Sequence, residues 1–277
     1  MTDAAQPMAF PSETIFGHLK KLHFFLNELS FLSKTRSNNL KILDFGCGNT
    51  EVIGKFIAKC GYDYYGVDFH KESLNHAKKI ISGPNVHLLE AIPLEIEFDA
   101  ILYGDVLEHL ENPEEMIKEH LKYLVPGGLI IGAVPNGHGA FEIESALDRR
   151  FGMTNKFQWL RHRYYLKKHV VAIWVKKHIL QKEIKPSPPL SEPIPFNHES
   201  GHIQFFSWPD IEAMFDRCGL RLTNFKKGVL MGGPFSGSLF GNCNAFLYVN
   251  DKLGAVFPRR MVSSWYFTAE KRISCGK

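Results

Sequence analysis

Cysteine is scarce in this chain and is not arranged for cross-linking. The 277 residues contain five cysteines, an odd number, and no two of them form a Cys-x-x-Cys pair. Disulfide frameworks and cysteine-based zinc sites depend on paired or regularly spaced cysteines. The sequence therefore favours neither, and it predicts a protein of a reducing compartment.

Long apolar runs and an export signal are missing as well. No stretch reaches the roughly 18 consecutive apolar residues that a membrane span needs. Asp3 stands near the start in place of a basic cluster, and Glu13 and Lys20 interrupt the apolar positions that follow. A secretory signal combines a basic start with an unbroken apolar segment. We therefore expect a soluble, cytoplasmic protein.

What the chain does contain is an alternation of strand and helix patterns. Hydrophobic residues make up 44% and charged residues 22% of the sequence, as in an ordinary globular protein. Strands are predicted at residues 42–45, 64–67, 86–89, 98–103 and 129–134, and helices at residues 51–57, 71–81 and 113–124. Asn112, which precedes Pro113, is expected to cap the last of these helices. This alternation predicts a doubly wound α/β fold.

The two ends of the chain add further elements. Apolar residues at helical spacing predict an amphipathic helix from Ser12, its expected cap, to about Ser33. Near the other end, Ser207 and Asp210 form the pattern of a capping box, and Gly219 is expected to stop the helix that they begin. The remaining expectations are strands at residues 220–226 and 263–269 and an irregular glycine-rich stretch at residues 231–241.

The most informative stretch runs from Lys41 to Thr50 and reads KILDFGCGNT. It predicts a strand, a turn that contains Gly46 and Gly48, and a helix that begins near Glu51. Glycines let backbone N–H groups approach a ligand closely, and a helix N-terminus favours negative charge. The stretch therefore predicts a site for a partly anionic ligand.

Asp68 narrows the identity of that ligand. It follows the second predicted strand, twenty residues after Gly48, where a carboxylate can accept hydrogen bonds from both hydroxyls of a ribose. An NAD site would require a third glycine at position 51, where the chain has Glu51. The two motifs together favour a nucleoside-containing ligand other than NAD.

With DFGCGNT at residues 44–50, the chain resembles the class I S-adenosylmethionine (SAM) dependent methyltransferases. Their first motif is an acidic residue, a hydrophobic residue and Gly-x-Gly-x-Gly, and here a threonine replaces the third glycine. The run DVLEHL at residues 105–110 is similar to the branch that includes the ubiquinone-biosynthesis O-methyltransferases. The layout, with Pro-Arg-Arg-Met at Pro258, also resembles methyltransferases encoded with bacterial surface-polysaccharide enzymes. The similarity covers roughly residues 41–136 and the tail from His202.

The resemblance implies a fold and a set of cofactor contacts. The fold would be a Rossmann-like sheet of seven strands whose last strand is antiparallel. The cofactor would be SAM, with S-adenosylhomocysteine as the product. Asp68 would hold the ribose, Glu90 the adenine amino group, and His109 would orient the loop beneath the methionine end. The expected cofactor-binding residues are Asp44, Gly46, Cys47, Gly48, Asn49, Asp68, Phe69, Glu90, Tyr103, Asp105 and His109.

An insertion interrupts the core after residue 136. Its middle, Arg149 to Lys185, holds eleven lysines or arginines against the single acid Glu183, a local charge of about +10 in a chain of +4. Interleaved aromatic residues predict one or two lid helices with a basic face, which is either solvated or a contact for an anionic membrane or another polyanion. The predicted organisation is an N-terminal helix (1–38), a SAM-binding core (39–136), a basic lid insertion with a proline-rich linker (137–200) and the C-terminal part of the core (201–277).

A histidine is the expected catalytic residue if the methyl acceptor is a hydroxyl. The hydroxyl proton must leave as the new bond forms, and imidazole is suited to accept it near neutral pH. His202 is the first candidate because it lies between the insertion and the next helix cap, where the resembling family often has a histidine. A structural role for His202 at the helix entry is the alternative, and His138 and His198 are weaker candidates.

A magnesium site is a second alternative for this region. Asp105, Glu108 and His109 occupy positions i, i+3 and i+4 and could converge on one ion, as a matching Glu-x-x-Glu-His does in some relatives. Magnesium prefers a set with more oxygen ligands. We therefore expect no metal.

These observations predict a SAM-dependent methyltransferase. Because the positive charge is concentrated in the insertion, we expect an acidic or phosphate-bearing acceptor and place O-methylation of a sugar or lipid-linked glycan first. Methylation of a quinone precursor or natural product comes second, and a SAM-binding regulatory protein without turnover third. Nucleic acid is the least favoured partner, and the inner face of an anionic membrane is an alternative location.

Overall fold

The computed structural model describes residues 13–152, 154–156 and 201–271. The helices are α1 (His18–Thr35), α2 (Gly54–Lys59), α3 (Lys71–Ile80), α4 (Pro113–His120), α5 (Ala140–Phe151), α6 (Trp208–Arg217), α7 (Pro234–Phe240) and α8 (Asn244–Val256). The strands are β1 (Lys41–Phe45), β2 (Asp63–Val67), β3 (Val86–Leu89), β4 (Phe98–Gly104), β5 (Leu124–Pro135), β6 (Leu220–Lys227) and β7 (Ser264–Lys271). Among the described helices, none is long and apolar enough to cross a membrane.

The strands form a single seven-stranded sheet in the order β3-β2-β1-β4-β5-β7-β6. Strands β1 to β5 are parallel, and β7 is antiparallel to both β5 and β6. The doubly wound sheet with an antiparallel last strand is thereby confirmed. The chain reverses its direction of winding between β1 and β4, where open α/β sheets bind ligands beyond the carboxyl ends of their strands.

Apolar side chains bury both faces of the sheet. Phe25 of α1 and Ile57 of α2 belong to the cluster on one face, and Ile117 of α4 and Phe215 of α6 belong to the cluster on the other. All four are fully buried, and burial of such a side chain contributes roughly 1.5–3 kcal/mol. The N-terminal amphipathic helix is therefore part of the core, as its apolar periodicity predicts, but it begins at His18 after Gly17 rather than at Ser12, so the predicted start and cap are wrong.

Helix ends match the sequence pattern in one place and differ in two. The capping box of Ser207 and Asp210 is present at the start of α6, and Gly219 ends that helix with a φ of 71°. The Asn112 side chain makes no capping hydrogen bond, so that prediction is wrong. Helix α2 begins at Gly54 rather than near Glu51, because residues 51–53 form a turn.

The fourth helix and the fifth strand also meet at a different point than expected. Helix α4 ends at His120, and a short 3-10 turn leads directly into β5 at Leu124. The Pro-Gly-Gly sequence at residues 126–128 therefore lies inside the strand rather than before it. The strand accommodates these three residues by a shift in its pairing with β4. Phe98 pairs with Leu124, whereas Ala100 pairs with Leu129.

The region after β6 is helical, which corrects the prediction of an irregular stretch. Helix α7 forms despite its glycines because Glu144 of α5 accepts hydrogen bonds from the Ser236 backbone N–H (2.7 Å) and hydroxyl (2.8 Å) near its start. Gly254 lets α8 lie close to the chain after β6, since a Cβ there would be 2.4 Å from the Gly228 carbonyl oxygen. The predicted lid falls mainly on residues 157–200, outside the described residues.

Candidate active site

A cavity of about 880 Å³ lies beyond the carboxyl ends of β1 and β4. It falls in the upper part of the range of small-molecule sites, so a cofactor and an acceptor can fit side by side. Its walls come from the glycine turn, the start of α1, one side of α5 and the chain before α6. Of the predicted site residues, it is lined by Asp44, Gly46, Cys47, Gly48, Asn49, Asp105, His109 and His202.

The two glycines of the turn have different roles. Both have positive φ, 71° at Gly46 and 54° at Gly48. A Cβ at Gly46 would come within 2.6 Å of Val106 Cγ2, whereas a Cβ at Gly48 would meet no atom within 4 Å. Gly46 is thus needed for packing against the loop after β4, and Gly48 is the position where the backbone faces open space in the cavity.

Thr50 adopts a left-handed backbone conformation that glycine favours. Its φ is 62°, which is a rare conformation for a β-branched residue and costs on the order of 1–3 kcal/mol. Its side chain is buried, and its hydroxyl has no hydrogen-bond partner among the described residues. A strained residue with a free polar atom in a cavity wall fits a ligand-binding role.

Asp68 supports the glycine turn from outside the cavity wall. Its Oδ2 accepts a hydrogen bond from the Gly48 N–H (2.7 Å) and its Oδ1 from the His70 N–H (2.8 Å). An ionised carboxylate has about four acceptor positions, so the ribose contact that the resemblance implies is still open to it. What the sequence did not indicate is that this carboxylate also orients the turn.

Asp44 lies beneath the same turn. It is buried and accepts a hydrogen bond from the Tyr64 hydroxyl at 2.6 Å. Burial raises the pKa of Asp44 to about 7, while the Tyr64 hydrogen bond works in the opposite direction.

Asp105 forms an ion pair with Lys21, a residue that the sequence did not single out. Asp105 has a φ of 60°, and the Lys21 ammonium reaches it from α1 across the cavity wall. Burial works to raise the pKa of Asp105, but the charge and hydrogen bond of Lys21 outweigh it, so the pKa lies below its ordinary value. Lys21 sits on the buried face of α1 together with Phe25, and a lysine in an apolar stripe was the signal available in the sequence.

Glu108, His109 and His202 form a compact cluster. One ligand atom from each lies within 4.8 Å of the others, a spacing that could hold a metal ion. Glu108 is 1% exposed, and its Oε2 has no hydrogen-bond partner among the described residues. Burial, and then the nearby charge of Asp105, raise the pKa of Glu108 well above its ordinary value. Asp105, which the sequence grouped with Glu108 and His109, is instead paired with Lys21.

Backbone hydrogen bonds bring the segment before α6 to this cluster. The Glu108 carbonyl oxygen accepts from the N–H groups of Ile203 (2.9 Å) and Gln204 (3.0 Å). His109 Nδ1 lies 3.1 Å from the Gly201 carbonyl oxygen. His202 is thereby held beside His109, with ring centroids 5.0 Å apart, although 93 residues separate them in the sequence.

His202 has a carboxylate partner on α5. Its Nδ1 lies 2.5 Å from Glu142 Oε1, and the Glu142 side chain is 9% exposed. The ring of Phe141 packs beside His202 at a centroid distance of 5.3 Å. A carboxylate on Nδ1 favours the tautomer that leaves Nε2 unprotonated and able to accept a proton.

Besides Asp68, three further predicted cofactor contacts and one candidate base lie outside the cavity lining. The Phe69 side chain is 78% exposed, and Glu90 forms an exposed ion pair with Lys71 at 3.4 Å. Tyr103 is fully buried, and its hydroxyl lies 2.7 Å from His120 Nδ1, so its side chain does not reach the cavity. His138 is exposed and does not line the cavity, whereas His198 is outside the described residues.

The fold and this site together define a class of protein. A solved S-adenosylmethionine dependent methyltransferase from Mesorhizobium loti superposes with a TM-score of 0.50 at 12% identity, covering 88% of this chain and 97% of that one. A family model described as a methyltransferase domain matches residues 18–224, well over half of the chain. The chain therefore belongs to the methyltransferase domain family, in the class that uses SAM as methyl donor.

Curated relatives are more distant and partial. A ubiquinone biosynthesis O-methyltransferase from Hydrogenovibrio crunogenus is 28% identical over 130 residues, which cover 44% of this chain and 53% of the relative. An enzyme of the same name from Colwellia psychrerythraea is 30% identical over 112 residues, covering 38% of this chain and 45% of the relative. The chain thus matches about half the length of these relatives.

Proposed function

We propose that this protein transfers a methyl group from SAM to a hydroxyl oxygen, with His202 as the general base. The observation that carries the proposal is the pair formed by His202 Nδ1 and Glu142 Oε1, 2.5 Å apart in the wall of the cavity. An amine or thiolate acceptor needs little more than correct placement against the methyl group. A hydroxyl must also lose its proton, and a positioned base accelerates that transfer about 10²- to 10⁴-fold.

Different residues around the cavity would bind different parts of the cofactor. When bound, SAM supplies an electrophilic methyl group. Gly48 leaves room for the cofactor beside the turn, and the Thr50 hydroxyl offers it a hydrogen bond. The Lys21 ammonium is placed to bind a carboxylate at the end of the cavity that Asp105 lines. The cofactor thus has acceptors, donors and space provided by residues of this chain.

Glu142 is the positioning residue in this proposal. By accepting from Nδ1–H it holds the imidazole in one orientation and stabilises the imidazolium that forms as the acceptor proton arrives. Its own surroundings keep it in place, because it lies on α5, whose Glu144 is bonded to Ser236 of α7. The proton of the hydroxyl would pass to His202 Nε2 while the new oxygen–carbon bond forms.

A sugar or lipid-linked glycan is the first candidate acceptor, as expected from the sequence. Phe16, Phe141 and Phe205 line the cavity near His202, and aromatic faces suit the flat face of a sugar ring as well as an aromatic ring. The same lining therefore supports a second candidate, an acceptor of the ubiquinone-precursor kind that the curated relatives are named for. Both candidates present a hydroxyl, which is the feature that the base requires.

The test is to find where the methyl group goes. The protein is incubated with SAM that carries a labelled methyl group and with fractions of cell material separated into lipids, polysaccharides and small molecules. We expect the label in one fraction and an O-methyl group in the purified product by NMR. Label found on nitrogen, sulfur or carbon would contradict the hydroxyl proposal. SAM binding with no transfer to any fraction would favour a SAM-binding regulatory protein.

A further inference from the structure

Helix α5 presents one stripe of side chains to the cavity. Phe141, Ser145 and Arg149, four residues apart, line it, whereas Ile143 and Leu147 are exposed on another side of the helix. At a rise of 1.5 Å per residue, Arg149 lies roughly 10–12 Å along the helix axis from Glu142 and Phe141. The stripe thus runs from the proposed base to a cation two turns away.

The register of this stripe is determined by two buried carboxylates. Glu142 is bonded to His202, and Glu144 is bonded to the backbone and hydroxyl of Ser236. Both glutamates are less than 10% exposed. Because the two contacts hold different sides of α5, the helix can neither rotate nor slide without breaking one of them. The distance between His202 and Arg149 is therefore a built-in property of the site.

Arg149 differs from the other cations near the cavity. Lys21 is paired with Asp105, and Lys55 outside the lining is paired with Glu51. No carboxylate among the described residues lies within ion-pairing distance of Arg149. Its neighbour Arg150 does not line the cavity and lies over the Phe151 ring at 5.7 Å. A guanidinium in a cavity wall with no carboxylate partner among the described residues is suited to a bidentate contact with a carboxylate or a phosphate of a ligand.

We infer that the methyl acceptor carries an anionic group, a carboxylate or a phosphate, at the end remote from the hydroxyl that is methylated, and that Arg149, two turns of α5 from Glu142, binds it. The inference rests on the proposed function, since the hydroxyl is placed by His202. It names a substrate class: an elongated molecule with a ring at one end, between the aromatic side chains, and an anionic group at the other.

The test uses two probe series of graded chain length. One series is ω-(dihydroxyphenyl)alkanoates and the other is ω-carboxyalkyl glucosides, each compared with its methyl ester and with the corresponding alkyl phosphate. Binding to the whole 277-residue chain saturated with S-adenosylhomocysteine is measured by calorimetry, for wild type and for Arg149→Gln, Arg149→Lys and Arg150→Gln. Methyl transfer from labelled SAM is measured on the same probes.

In at least one series we expect the acid of matching length to bind wild type at least tenfold more tightly than its ester, the range for a charge-assisted hydrogen bond. That preference should disappear in Arg149→Gln, shrink in Arg149→Lys and persist in Arg150→Gln. Comparison of the acids with the alkyl phosphates shows whether Arg149 binds a carboxylate or a phosphate more tightly. The inference is overturned if no acid binds wild type better than its ester, if Arg149→Gln keeps the preference, or if Arg150→Gln loses it equally.

The two measurements separate this inference from the proposed function. Transfer to esters and acids alike would overturn the Arg149 contact and leave O-methylation standing. An acid preference that depends on Arg149, without methyl transfer to any hydroxyl probe, would support the anion contact and contradict the catalytic proposal.

Discussion

The backbone N–H of Gly48 donates a hydrogen bond of 2.7 Å to Asp68 Oδ2, and this bond joins the two motifs from which the cofactor site is predicted. Gly48 belongs to the turn after β1, and Asp68 follows β2, its parallel neighbour in the sheet. The carboxylate therefore shapes the turn in addition to any contact with the ribose.

Replacement of Asp68 should weaken SAM binding more than it weakens the fold. Asp68→Ala removes a charged acceptor worth about 1.5–3 kcal/mol per hydrogen bond, so we expect at least a tenfold rise in the dissociation constant for SAM by calorimetry. Asp99→Asn is the matched control, because Asp99 accepts a similar backbone hydrogen bond from Lys41 at 2.9 Å at the opposite end of β1. Equal SAM affinity in Asp68→Ala and wild type would refute a role for Asp68 in the site.

Substitutions of glycine can separate two effects on SAM binding: backbone strain in the turn and loss of space in the cavity. Gly48→Ala adds a methyl group in open space at positive φ, which costs roughly 1–2 kcal/mol of strain and narrows the cavity. Gly61→Ala adds the same strain at a φ of 86°, also in open space, but outside the cavity lining. We expect similar losses of unfolding free energy in both variants and a loss of SAM affinity only in Gly48→Ala. Loss of affinity in both would assign the effect to strain.

Gly46→Ala should behave differently from Gly48→Ala. Its Cβ would lie 2.6 Å from Val106 Cγ2, so the loop that carries Asp105 must move. We expect a lower melting temperature than in Gly48→Ala, by thermal unfolding monitored with circular dichroism. The double variant Gly46→Ala, Val106→Ala removes the colliding atoms and should recover part of the difference; no recovery would show that the contact with Val106 is not the cause.

His120 should make the protein sensitive to acid. Burial lowers the pKa of His120 to about 4, whereas the unfolded chain binds the proton near pH 6.5. Between these two pH values the unfolded state binds more protons than the folded state. The contribution of His120 to the free energy of unfolding is therefore fully present above pH 6.5 and is lost as the pH falls towards 4. From pH 7.5 to 5 the loss from this group is about 2 kcal/mol. In urea unfolding, His120→Gln should lose less unfolding free energy than wild type between pH 7.5 and pH 5. The control His138→Gln, at an exposed position, should lose as much as wild type.

Much of the fold was accessible from the sequence because the strands are short apolar runs between clear helix patterns. The order of strands and the antiparallel edge followed from the resemblance rather than from periodicity. The helices after β6 were missed because their formation depends on distant partners. Glu144 lies 92 residues before Ser236, to which it is bonded, and no local pattern encodes that contact.

The candidate site, like the fold, could be predicted only in part from the sequence. The glycine turn and Asp68 are close in sequence and were recognised from spacing. Lys21 and Glu142 were not, because each contributes through a contact with a residue at least 60 positions away. Tyr103 was expected at the cofactor, but residues at the end of β4 alternate between the two faces of the sheet, and its side chain points into the core.

The most direct test of the account is the rate of methyl transfer to a hydroxyl acceptor in a single turnover, with SAM and acceptor both saturating. Compared with wild type and the control His138→Gln, we expect His202→Ala to be at least a hundredfold slower and Glu142→Gln about tenfold slower, with the dissociation constant for SAM unchanged in both. An unchanged rate in His202→Ala would contradict the account, as would a loss explained entirely by weaker SAM binding.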